Sequence, residues 1–273
     1  MRALSSRVSA LLGVVLSGLV SQGALACGVE TDCTLVVPTS GGERIYRIDW
    51  RDGQTGAFVF AHGYRGSAAG VMRNRALREA VAREGFALVA PEALGTWSLP
   101  NGPRPQRFEE APYFDALVAA LVRDHGIDPT RIIMSGFSAG GMVTWNLACT
   151  RPDLFAGFVP ISGTYWKAPP ETCPGGVPNI VHIHGTADRT VPLDGRPIGP
   201  TVQGKVREAL DHMQAKGGHA GDARRTVGRL SCSVRVSADG KVLELCLHPG
   251  GHSMPSEFAA VGIAELRART PLR

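Results

Sequence analysis

Gly136-Phe137-Ser138-Ala139-Gly140 sets one hydroxyl between two glycines, in the spacing G-x-S-x-G. A serine hydroxyl is a poor nucleophile until a neighbouring base takes its proton, and that base must be held in one tautomer by an acceptor. Both partners follow downstream. Asp188 closes the run His184-Gly185-Thr186-Ala187-Asp188, and His252 closes Pro249-Gly250-Gly251-His252, where small residues let an imidazole swing over a serine. Ser138 as nucleophile, His252 as base and Asp188 as orienting acid make an acyl-transfer set. His248 and Asp194 compete for two of these roles. His248 lacks flanking glycines on both sides, which favours His252. His182 and His184 share a strand face and with Asp188 imitate a metal set, but a hydrogen-bonded structural role is the simpler reading and no metal is expected.

The pentapeptide alone carries little information. With 34 glycines and 16 serines in 273 residues, chance gives roughly one such pattern in four chains of this composition. Its setting carries more. The apolar run Arg131–Ser135 reads as a strand and leads directly into the motif, and Met142, Val143, Trp145, Leu147 and Ala148 follow as a helix apolar nearly all round. Strand, sharp turn and helix make a nucleophile elbow, with the helix N-terminus aimed at developing negative charge. Acyl transfer also needs two donors for the oxyanion. One is the backbone N–H of Ala139, directly after the nucleophile. The other is assigned to Tyr64, in His62-Gly63-Tyr64 after the early strand Ala57–Ala61.

The elements that must position these groups form an alternating series. Two short β-rich runs, Thr34–Val37 and Arg44–Trp50, come first. Strands then read at Ala57–Ala61, Phe86–Ala90, Arg131–Ser135, Phe155–Ile161 and Asn179–His184. Phe114, Leu117, Val118, Leu121 and Val122 recur at helical spacing, Val202, Val206, Leu210 and Met213 mark a second stripe, and Glu257–Arg267 suggests a closing helix. Such alternation predicts an α/β class: a mostly parallel sheet with helices on both faces. Two segments, Pro91–Arg107 and Gly163–Val177, read as long loops. In α/β enzymes such loops shape the substrate site, so Trp97, Tyr165 and Trp166 are candidate substrate-binding residues.

Residues 1–26 read as an export signal: Arg2 and Arg7, an apolar stretch from Leu11 to Val20, and Ala24-Leu25-Ala26 at the cleavage point. The apolar stretch is shorter than the ~20 residues a spanning helix needs. Acylation of Cys27 is an alternative that the residues before it fit poorly. The expectation is residues 27–273 as one catalytic domain, exported to the periplasm or the medium. Its net charge of +5 falls to +3 without Arg2 and Arg7. With no basic run, nucleic acid is not an expected partner, nor is membrane once the signal is removed. All six cysteines lie beyond residue 26, and an even set in an exported chain favours disulfides, although six permit fifteen pairings. Cys232 and Cys246 are equidistant from Asp239 in a strand-turn-strand segment and face each other across a hairpin. Cys27–Cys33, as near neighbours, and Cys149–Cys173 are then the remaining pairs.

Taken together, Ile127-Asp128-Pro129-Thr130-Arg131, Ser135-Gly136-Phe137-Ser138-Ala139-Gly140-Gly141-Met142, Pro152-Asp153-Leu154-Phe155-Ala156 and His184-Gly185-Thr186-Ala187-Asp188 with Val191-Pro192 resemble the polyhydroxybutyrate depolymerase-like and feruloyl esterases of the α/β-hydrolase superfamily. The resemblance covers about residues 55 to 256. It implies an α/β-hydrolase fold and a serine esterase working through an acyl-enzyme on short hydroxyalkanoate or aromatic acyl esters, a small ester or oligoester substrate, with no cofactor. The group often carries an aromatic residue where Met254 stands, so the acyl-pocket wall differs. A peptidase or amidase on the same machinery, or a non-catalytic binding protein, are the competing classes.

Overall fold

A computed structural model describes residues 33–269. The export signal and Cys27, and with Cys27 the expected Cys27–Cys33 pair, lie outside the described residues. In chain order the strands are β1 (Cys33–Thr39), β2 (Gly42–Asp49), β3 (Gly56–Ala61), β4 (Phe86–Pro91), β5 (Ile132–Phe137), β6 (Gly157–Ile161), β7 (Ile180–Gly185), β8 (Arg196–Ile198), β9 (Thr201–Gln203), β10 (Ala220–Val227), β11 (Leu230–Val236) and β12 (Val242–His248). The helices are α1 (Ala68–Met72), α2 (Arg75–Arg83), α3 (Ala111–His125), α4 (Ala139–Thr150), α5 (Val206–Gly217) and α6 (Glu257–Arg269).

Ten strands form one sheet in the order β1-β2-β4-β3-β5-β6-β7-β12-β11-β10. Its centre, from β4 to β12, is parallel, and antiparallel hairpins extend both edges. Period-2 alternation sorts the core into two layers. Along β3, Ala57, Val59 and Ala61 face α3, α4 and α5, whereas Phe58 and Phe60 face α1, α2 and α6. This is the predicted α/β arrangement, and the sheet is buried on both faces because helices cover both.

Local chemistry sets the helix ends. α3 opens on Pro112, whose missing N–H costs nothing in a first turn, and ends at Gly126, with φ of 64°. α5 ends in the same way at Gly218. One boundary differs from expectation. Val202 does not begin the α5 stripe; it lies in β9, paired with Pro197 of β8, and is exposed. Its helical spacing to Val206 is coincidental.

Two disulfides join described residues. Cys149–Cys173 ties the end of α4 to the loop after β6, and Cys232–Cys246 joins directly opposed residues of β11 and β12. Both match the expected pairings, Cys232–Cys246 from spacing and Cys149–Cys173 as the remainder. No helix among the described residues is long and apolar enough to cross a membrane.

Candidate active site

The β5–α4 junction is an abrupt turn. Ser138 holds φ 58° and ψ −116°, a conformation that costs a residue with a β-carbon about 1–3 kcal/mol. Its surroundings fix it there. Ser138 N–H donates to Ile161 O at 2.9 Å, and Met142 N–H donates to Ser138 O at 3.0 Å. The flanking glycines are steric necessities: a β-carbon on Gly136 would lie 2.4 Å from the Gly140 carbonyl, and one on Gly140 would lie 1.9 Å from Ala61 O. The turn thus packs backbone against backbone, with the half-buried serine at its tip.

Beside the turn runs the loop after β3. Gly63 is so close that a β-carbon there would touch Ser138 Cβ at 3.6 Å. Tyr64 follows, in a turn closed by Gly66 N–H to Gly63 O at 2.9 Å, with Arg65 at φ 59°. The backbone N–H groups of Tyr64 and Ala139 thus belong to the two segments that flank the serine. Behind this loop, His62 is buried; its Nε2 lies 3.4 Å from Glu92 Oε1, and Glu92 Oε2 accepts from Ala68 N–H at 2.8 Å. No sequence pattern pointed to Glu92.

The carboxylate of Asp188 is fully buried and saturated with donors. Oδ1 accepts from the N–H groups of Thr190 and Val191, each at 2.8 Å, and Oδ2 from His252 Nδ1 at 2.7 Å. His184 Nε2 donates to Val191 O at 2.7 Å and lies 3.6 Å from Asp188 Oδ2. Because that nitrogen must carry hydrogen to meet a carbonyl, His184 Nδ1 is left to accept from His182 Nε2, 2.9 Å away. Burial pushes both imidazoles below their ordinary value and, together with their mutual repulsion, keeps His182 neutral. The two histidines brace the Asp188 loop.

His252 sits on a loop clamped to that of Asp188. Thr186 N–H donates to His248 O at 2.8 Å and Ala187 N–H to Gly250 O at 3.1 Å. Gly185 admits this approach, since a β-carbon there would meet Gly250 O at 2.4 Å. The His252 ring lies 4.6 Å from that of Phe137, the residue before Ser138. Among the described residues, Ser138 Oγ itself makes no hydrogen bond to His252. Of the competitors, His248 is buried against Phe258, accepts Gly250 N–H on Nδ1 at 3.0 Å, and is pushed below its ordinary value by burial. Asp194 is exposed, beside a separate groove of about 420 Å³ between α5 and β10–β12.

The three aromatic candidates sit in the two long loops. Trp97 is 4% exposed and its indole N–H donates to His62 O at 2.7 Å; Tyr165 is 2% exposed and donates its hydroxyl to Trp145 O at 2.8 Å. Both pack loop bases with their polar tips engaged, so neither presents a surface to a cleft. Trp166 is half-buried and bridges to Gln203.

Residues 50–216 match the family model described as phospholipase/carboxylesterase, well over half of the chain. The chain belongs to that family. This esterase is 29% identical over 254 residues to the putative esterase NocK of Nocardia uniformis subsp. tsuyamanensis, covering 80% of this chain and 73% of that one. It is 27% identical over 266 residues to a probable feruloyl esterase C of Aspergillus terreus, covering 92% and 90%. A 58-residue stretch, 21% of this chain and 14% of the other, is 41% identical to a poly(3-hydroxyalkanoate) depolymerase C of Paucimonas lemoignei. Among solved structures, the acetyl xylan esterase of Aspergillus awamori superposes with a TM-score of 0.60 over 82% of this chain and 95% of that one, at 16% identity. The expected α/β-hydrolase class and carboxylic-ester hydrolysis both stand.

Proposed function

We propose that this esterase is an exported serine hydrolase in which Ser138, His252 and Asp188 act as nucleophile, general base and orienting acid. The observation that carries the reading is the 2.7 Å Asp188–His252 bond, made by a half-buried imidazole lying on Phe137 beside a serine held at φ 58°. A carboxylate on Nδ1 keeps the proton there and leaves Nε2 to receive one. His252 takes the Ser138 proton as Oγ attacks the ester carbonyl. The tetrahedral oxyanion accepts hydrogen bonds from the backbone N–H groups of Tyr64 and Ala139, aided by the N-terminus of α4. His252 then protonates the departing alkoxide, leaving an acyl-enzyme on Ser138. Water, deprotonated by His252, releases the acid and restores the serine.

The proposed substrates are short hydroxyalkanoate or aromatic acyl esters, on the strength of the likeness to feruloyl esterases and a hydroxyalkanoate depolymerase. Export of residues 27–273 as one catalytic domain is supported by the leader pattern and by disulfides, which persist in oxidising compartments. N-terminal sequencing of protein recovered outside the cytoplasm tests that part. Fluorophosphonate labelling tests the chemistry: the label should map to the peptide containing Ser138, and Ser138→Ala should abolish both labelling and hydrolysis of a nitrophenyl ester. Labelling elsewhere, or activity retained in the variant, removes Ser138 from the role. Equal rates on a matched anilide would favour an amidase.

A further inference from the structure

We propose that Tyr64, Arg65 and Arg104 form an anion-recognising rim beside the nucleophile, which selects esters carrying a free carboxylate a short distance from the scissile bond. The proposal rests on the serine-esterase reading and names its substrate class. Gly63 is in contact range of Ser138, and Tyr64 is the next residue, one ~3.8 Å step along the chain. Tyr64 is 52% exposed. Two guanidinium groups flank it: the Arg65 carbon lies 5.2 Å and the Arg104 carbon 5.7 Å from the ring centre, and Arg104 Nη2 donates to the phenol oxygen at 3.0 Å.

Neither arginine is paired with a carboxylate among the described residues. Of the acids in the adjoining segments, Glu92 lies against His62 and Ala68 N–H, Glu110 is engaged with Arg44 at 3.1 Å and with Ser98 N–H, and the exposed Glu109 pairs with neither arginine. Arg44, Arg78 and Arg225, by contrast, all have carboxylate partners. Since Arg104 donates to the Tyr64 oxygen, the phenol hydrogen stays available to donate outward. The rim thus offers one hydroxyl donor and two cationic forks, the donor set that suits a carboxylate. Arg65 occupies a left-handed position where glycine would be unstrained, so an arginine is kept there at a conformational cost.

Two matched pairs test it: the free-acid dimer of 3-hydroxybutyrate against its methyl ester, with the charge on the alcohol side, and nitrophenyl hemiglutarate against nitrophenyl pentanoate, with the charge on the acyl side. In at least one pair the charged ester should have a kcat/KM roughly tenfold above its neutral partner at low salt, as expected for two exposed cations. That ratio should collapse in about 0.5 M sodium chloride, where exposed charges are screened, and in the double variant Arg65→Gln/Arg104→Gln. Tyr64→Phe should lower it partially. Neutral esters preferred in both pairs, or a ratio indifferent to salt and to the double variant, overturn the rim. No hydrolysis of any of the four esters would instead strike the esterase reading beneath it.

Discussion

Replacing Asp188 with Asn tests how the imidazole is oriented. The amide offers one acceptor and one donor where the carboxylate offered two acceptors. Thr190 and Val191 both direct N–H groups at Oδ1, whereas His252 alone donates to Oδ2. Turning the amide so that its oxygen meets His252 would leave two buried donors facing an NH₂ group, at about 1–3 kcal/mol each. The His184 hydrogen is already committed to Val191 O, so it does not tip the balance. The amide oxygen therefore stays with the backbone, and the NH₂ meets His252 Nδ1, which must become the acceptor. The proton moves to Nε2, where the ring cannot deprotonate Ser138. A penalty of roughly 2–6 kcal/mol lowers the productive tautomer by about 30-fold to 10⁴-fold at 1.4 kcal/mol per decade. The assay is kcat for a nitrophenyl ester at pH 7.5, with melting temperature measured in parallel and Asp194→Asn, at an exposed acid, as control. A D188N variant that melts like the parent and keeps more than about a tenth of its kcat would refute the reasoning.

Other outcomes follow from the same geometry. Gly140→Ala should cost several kcal/mol, because its β-carbon would sit 1.9 Å from Ala61 O, whereas Gly63→Ala meets only contacts of 3.5 Å or more and should melt close to the parent; similar melting temperatures for the two would contradict this. Removing Cys149–Cys173 as a double serine variant frees a 24-residue separation and should cost about 3 kcal/mol on the chain-entropy account, read from denaturant midpoints. Melting should be level above pH 6.5 and fall below it. His182, His184 and His248 are held below their ordinary value when folded, mainly by burial, so the unfolded chain binds more protons as pH drops. Each contributes a slope of up to about 1.4 kcal/mol per pH unit in that window. The buried acids Glu110 and Glu244, held above theirs mainly by burial, act with the opposite sign but only closer to the carboxylate range. A melting temperature that stays constant down to pH 5 would be inconsistent with neutral buried histidines.

The linear order of residues determined the elbow, because strand, glycine, serine, glycine and helix are contiguous; the clash that requires Gly136 is with nearby Gly140, whereas the one that requires Gly140 is with Ala61 of β3 and arises only once the sheet has formed. It also determined the Cys232–Cys246 pair, since two residues equidistant from a tight turn must face one another in an antiparallel ladder. β10 escaped the pattern: Ala220–Val227 is an edge strand with mostly exposed positions and no buried face to impose alternation. Burial of Trp97 and Tyr165 depended on which carbonyls lay within reach of their polar tips. Flanking glycines favoured His252 over His248, but only the tertiary structure supplied its bond to Asp188, the bracing of the loop behind it by His182 and His184, and the contact of Arg104 with Tyr64 across forty residues. Hydrogen bonds and ion pairs between distant segments have no periodicity, so the order of residues can name the partners but does not fix their geometry until the sheet brings their loops to one edge.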